Sequence, residues 1–190
     1  MKILTVFSIL SIITSINTEK LFHNYTHKKV YLNISDCHRI KTDTIKIFKI
    51  HEKYCVLADK DYNALLQDSI FNPYLYLNDL PSPKLTLIGK IKEYKRFNSY
   101  LLEVYTSRDF IELFLINVSK NNNILISAIS VALEFYDGFG AHILSHSVLN
   151  NRRIEVYQKT GGYNSFGGRL DDSITTFKFY LDKEGYIVIL

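Results

Sequence analysis

From Lys84 onwards, apolar and polar positions alternate with a period of two, interrupted at short intervals by turn residues. That is the pattern of strands with one face towards a core, joined by tight connections. It predicts eight strands: Lys84–Tyr94, Phe97–Thr106, Asp109–Val118, Ile124–Phe135, Ala141–Leu149, Arg152–Lys159, Ser173–Leu181 and Tyr186–Leu190. The connections are too short for parallel crossovers, so the strands pair antiparallel with their neighbours. Asn121-Asn122-Asn123, Asn150-Asn151, Asp137-Gly138 and Glu184-Gly185 supply the residues that tolerate positive φ in such turns.

The strands differ in burial. Arg152–Lys159 sets Ile154 and Val156 against Arg153, Glu155 and Lys159, so one of its faces is wet. Phe110–Val118 and Ile124–Phe135 are apolar on both faces and belong in the centre of the sheet, covered from both sides. Before Lys84 the pattern is irregular. Thr44–His51 alternates and reads as a strand, with Tyr54–Ala58 as its hairpin partner. Asp59–Ser69 is the helix expected to cover the sheet, with Asp59 or Asp61 as its cap and Leu65 and Leu66 towards the core. Pro73, Pro81 and Pro83 mark an extended connection. The fold class is therefore α+β and β-dominated. It is a curled antiparallel meander of seven to eight strands with an irregular N-terminal section and one short helix.

The first 17 residues are different in kind. Met1-Lys2 is a positive start, and Ile3–Ile16 is apolar and uncharged, followed by Asn17 and Thr18. This is the order of a secretory signal peptide. A 14-residue apolar helix spans about 21 Å, short of the roughly 30 Å hydrocarbon core, so cleavage is favoured over anchoring. The expectation is one domain, residues 18–190, secreted or periplasmic, without a transmembrane segment after leader removal, and monomeric.

Composition adds to this picture. The 14 Tyr and 12 Phe among 190 residues favour a pleated, half-buried surface. The net charge of +4 is modest. Basic residues interleaved with aromatics can bind nucleic acid, but export argues against that partner. Two cysteines, Cys37 and Cys55, are an even count in an exported chain and predict one disulfide. Closing so short a loop stabilises by roughly 3 kcal/mol. Asn24, Asn33 and Asn117 each head an Asn-x-Ser/Thr sequon.

Candidate chemistry is sparse. Asp59-Lys60-Asp61-Tyr62-Asn63 opens like a calcium loop, but Ala64 stands where Gly is needed and Ile70 where a bidentate Glu is needed. His142 and His146 share a strand face about 13 Å apart, too far to ligate one metal. No motif calls for a cofactor. The segment Thr160–Asp172 is longer than a hairpin requires, and Tyr163, Asn164, Phe166, Arg169, Asp171 and Asp172 could contact a protein, peptide or glycan ligand.

The stretch Lys84–Leu190, and Asp182-Lys183-Glu184-Gly185-Tyr186-Ile187-Val188 within it, resembles the small uncharacterised exported β-meander proteins of Bacteroidetes type. That resemblance implies a cell-envelope protein and carries no functional residues over. Three readings follow: a non-enzymatic binding module using the Thr160–Asp172 segment or a sheet face; a hydrolase-like enzyme using His142 and His146 with Glu134 or Asp137; and a structural or inhibitory protein acting through a sheet edge.

Overall fold

A computed structural model describes residues 22–24, 29–47, 55–68, 70–71, 83–107, 109–136, 140–163 and 168–190. Residues 1–17, read as a leader, lie outside the described residues. The elements in chain order are β1 (Phe22–Asn24), β2 (Ile34–Ser35), β3 (Thr44–Ile45), β4 (Val56–Leu57), α1 (Asp59–Leu66), β5 (Lys84–Glu93), β6 (Phe97–Ser107), β7 (Phe110–Ser119), β8 (Leu125–Tyr136), β9 (His142–Asn150), β10 (Arg153–Tyr163), β11 (Arg169–Leu181) and β12 (Ile187–Ile189).

The eight strands β5 to β12 pair each with its sequence neighbour, as the short connections require. The turn residues adopt the expected backbone: Asn123 and Asn151 sit at φ 57°, and Gly185 at φ 99°. Two short strands join this meander, so the sheet has ten strands rather than the seven or eight expected. β1 pairs with β8 at Ser127–Ile129, and β3 pairs with β9 at Ser147–Val148. They fit because β8 and β9 diverge. β8 pairs with β9 only through Leu133–Tyr136, and its first half turns to β1 instead.

The two-sided strands explain the packing. Alternate residues of β7 and β8 enter two different cores. Leu113, Leu115, Ile129 and Val131 join Ile154, Val156, Phe179 and Leu181 of the later strands. Phe114, Ile116, Val118 and Ala128 join Leu32, Cys55, Leu57, Leu65 and Phe71 of the N-terminal section. The N-terminal layer thus covers one side of β5–β8, and β9–β12 lie against the other. Each fully buried Leu, Ile or Phe contributes about 1.5–3 kcal/mol, so both layers are held chiefly by apolar burial.

Three expectations for the N-terminal section and the loop are corrected. Among the described residues, the segments expected to pair as Thr44–His51 with Tyr54–Ala58 take other partners: β4 pairs with β2, and β3 pairs with β9, while residues 48–54 lie outside the described residues. The Cys37–Cys55 disulfide, with Cα atoms 4.1 Å apart, holds the β2 and β4 segments together. The helix ends at Leu66, and neither Asp59 nor Asp61 caps it. The cap position is Ala58, without a side-chain hydrogen bond. Asp61 is buried and instead accepts from the Asn33 backbone N–H at 2.9 Å, tying the helix to the chain before β2. Finally, most of Thr160–Asp172 is not a loop. β10 runs on to Tyr163 and β11 begins at Arg169, with a register shift between Thr160 and Gly162.

One row of polar side chains crosses the sheet at the level where β11 turns into β12. Ser99, Asn117, Ser127 and Asn24 are register partners on β6, β7, β8 and β1. Ser99 donates to Asn117 Oδ1, and Asn117 Nδ2 donates to Ser127 Oγ at 2.9 Å and to Gly185 O at 3.1 Å. Ser127 Oγ also donates to Gly185 O, at 2.7 Å. Asn24 donates to Ile187 O and accepts from Ile187 N–H, both at 2.9 Å, so its amide stands in for a neighbouring strand. The turn that lands on this row is shaped by Asp182, whose Oδ1 accepts from Glu184, Gly185 and Tyr186 N–H.

Candidate functional site

On β9 to β11, Ile143, Ser147, Leu149, Val156, Gln158 and Phe179 face inward and are buried. Their alternates face outward. Cross-strand partners share a face. The register therefore sets Glu134, Leu144, Lys159 and Ile174 in one outward row across β8, β9, β10 and β11. His146 and Tyr157 form the row to one side, and Tyr136, His142 and Gly161 the row to the other. From these rows Glu134, Tyr136, Leu144, His146, Tyr157, Lys159 and Ile174 line, with Lys46 and Ile47 after β3, a groove of about 400 Å³ in which the rings and Ile174 supply apolar surface and Lys46, Glu134 and Lys159 supply charge. Ile174 is 73 % exposed, which makes it the barest large apolar side chain among the described residues.

The rings are fixed by their neighbours. His146 stacks on Tyr157 with centroids 5.2 Å apart and planes 19° apart. The Tyr157 hydroxyl donates to Glu155 Oε2 at 2.6 Å. That hydrogen bond favours the neutral phenol and raises its pKa above the ordinary value. Tyr136 lies 6.3 Å from His142, ring to ring, and its hydroxyl reaches Glu134 Oε1 at 3.3 Å. Its pKa is raised too, first by desolvation and then by Glu134.

From Lys159 on the groove wall, a charged cluster crosses three strands. Asp172 Oδ2 lies 2.7 Å from Lys159 Nζ, and Asp172 Oδ1 lies 3.6 Å from His142 Nε2. His142 is on β9 and Asp172 on β11, with β10 between them. Strands are about 4.8 Å apart, so side chains two strands apart ordinarily do not meet. Here they do because the intervening residue is Gly161. A Cβ on Gly161 would come within 2.7 Å of His142 Cε1 and closer still to Asp172 Oδ1. The glycine serves close approach, not loop flexibility.

The sequence-based candidates separate accordingly. Asp172 is paired with Lys159 of the groove wall, and Asp171 is exposed on β11. Tyr163 and Arg169 lie on β10 and β11 where the two strands pair. Asn164, Phe166 and Asp137 lie outside the described residues. His142 and His146 are on one strand face, as expected, but they have separate partners. Glu134 faces Tyr136 rather than a histidine. Among the described residues there is no group of three or more His, Cys, Asp or Glu that could hold a metal ion. No described helix is long and apolar enough to cross a membrane.

Sequence reasoning passed over Glu112. It sits on β7 between Phe110 and Phe114, and burial pushes its carboxyl up to about 7, against a hydrogen bond from Ser130 that pulls it down. The signal was present as a lone charge in the apolar run Phe110-Ile111-Glu112-Leu113-Phe114. Tyr157 and Lys159 were also missed as site residues, because their relation to His146 and Asp172 exists only through the register.

No protein-family model, curated protein or solved structure matches the chain.

Proposed function

We propose that the chain is an exported, non-enzymatic binding module that holds a protein, peptide or glycan ligand on the outer face of β8–β11. The observation that carries this reading is the groove itself. Rings and charged groups converge on a paired, register-locked sheet, and each is already oriented by a neighbour. Concave sites with apolar walls and a few convergent polar groups are where ligands bind. The disulfide and the apolar leader pattern support an oxidising compartment.

The two rival readings have less support. For a hydrolase, His142 stands 3.6 Å from Asp172, Glu134 is engaged by the Tyr136 hydroxyl, and Asp137 lies outside the described residues. An edge-binding protein needs an open strand. Along β5, Lys90 bonds to His38 and Ile40, and Leu87 N–H donates to the Tyr62 hydroxyl. Along β12, Ile187 is taken by Asn24.

The test is a small-molecule fragment screen by ¹H–¹⁵N NMR on the labelled protein. Fragment hits should shift amide signals in Leu144–Ser147 and Tyr157–Lys159. Tyr157→Ala should weaken those hits about tenfold, the equivalent of about 1.4 kcal/mol. Hits that gather elsewhere, or that ignore Tyr157→Ala, would overturn the assignment.

A further inference from the structure

Three sequons enter the fold, and their acceptor nitrogens meet three different fates. Asn117 is fully buried, and its Nδ2 donates to both Ser127 Oγ and Gly185 O. Asn24 is half-buried, and its amide bonds both backbone groups of Ile187. Asn33 is exposed, as is Ser35, the hydroxyl residue of its sequon. The Asn33 backbone is pinned by Asp61, while its Nδ2 reaches that same carboxylate oxygen only at 3.4 Å.

We infer that Asn33 is the N-glycan acceptor of this chain, and that Asn24 and Asn117 are structural amides closed to modification. The inference rests on the exported character proposed above. In the transfer, Asn33 Nδ2 forms a bond to the anomeric carbon of a lipid-pyrophosphate-linked oligosaccharide. The bond from that carbon to the pyrophosphate oxygen breaks, the lipid pyrophosphate departs, and one Nδ2 proton is lost. The nitrogen keeps one proton, which still suffices for its contact with Asp61. The same exchange at Asn117 removes one of two donated protons and places a sugar in the core. An unpaired buried acceptor and the displaced side chains make that form incompatible with the fold. At Asn24 a sugar has to occupy the space between β1 and β12, where the amide replaces a strand.

The experiment is secretion of the full chain from a yeast or mammalian host, once under its own leader and once under a host leader. The purified protein is then deglycosylated in ¹⁸O water and mapped by mass spectrometry. Under the host leader, Asn33 should be the occupied sequon, with no label at Asn24 or Asn117. Ser35→Ala should abolish the glycan mass, and its melting temperature should match that of wild-type protein secreted while synthesis of the lipid-linked oligosaccharide is inhibited, which keeps Asn33 an amide. An unmodified Asn33 in secreted, folded protein, or a glycan at Asn24 or Asn117 in that material, would overturn the inference. Secretion under the host leader but not under the native one would count against export alone, leaving the acceptor assignment to be read from the glycan map.

Discussion

Asn117→Ala tests whether the polar row on β6, β7 and β8 is what seats the last hairpin. Ser99, Asn117 and Ser127 are each fully buried. The substitution deletes three hydrogen bonds, to Ser99, Ser127 and Gly185 O. Ser127 keeps its own bond to Gly185 O, but the Ser99 hydroxyl loses its acceptor. A typical bond contributes about 1 kcal/mol net, and an orphaned buried donor costs about 1–3 kcal/mol. The expected loss is therefore about 3 kcal/mol. For a domain of this size that lowers Tm by about 6–12 °C. Urea unfolding should show a lower midpoint with an unchanged slope. Amide exchange at Gly185–Ile187 should accelerate more than at the far end of the sheet. Ser127→Ala alone should cost about 1 kcal/mol, and the double variant should depart from the sum, because both single changes delete the Asn117–Ser127 bond and only together do they strip Gly185 O of both side-chain donors. A loss below about 1 kcal/mol for Asn117→Ala, or full additivity, would refute the argument that these residues act as one support.

Two further outcomes follow from the same structure. Glu112 has a folded-state pKa raised to about 7, above its unfolded value of 4.5, so the native state holds a proton that the unfolded chain releases. Its contribution to stability is present at low pH and is lost as pH rises through 7; Glu112→Gln should flatten that decline between pH 5 and 8 in urea titrations, and an unchanged slope would exclude this carboxyl as the cause. Gly89→Val should destabilise by about 1–3 kcal/mol, since its Cβ would stand 2.6 Å from Ile40 Cδ1 and 3.1 Å from His38 O; exchange at the Ile40 and Lys90 amides should speed up first, and unaltered protection there would show that the segment does not need this close approach.

Much of the meander is legible in the sequence because its strands are long and its period is clean. Ile154 and Val156 are buried between outward Glu155 and Lys159, as the alternation requires. The double-sided apolarity of Phe110–Val118 correctly implied two covers, and Leu113 and Phe114 do enter different cores. The N-terminal section is less legible for a physical reason. Its strands are two or three residues long, and no period can be read over so few positions. Their pairing is set by partners far away in the chain, such as Ser127 for Asn24 and Val148 for Thr44. β4 was drawn from its sequence neighbour because Cys55 is bonded to Cys37, beside β2. The site suffered in the same way. Its histidines and Asp172 were visible as residue types, but the glycine pair beside them reads as loop in sequence. Only the register shows that Gly161 lets His142 and Asp172 meet.

The clasp between Asn24 and Ile187 joins positions 163 residues apart. In synthesis order, the first described strand waits for β8 as its pairing partner and for β12 to engage its amide. Pairings of such span are closed late and slowly. A nascent chain built this way has no complete sheet until its last strand has been made. The delay ends when the β11–β12 turn and β12 arrive, because they satisfy the waiting amides of β1 and β7 together.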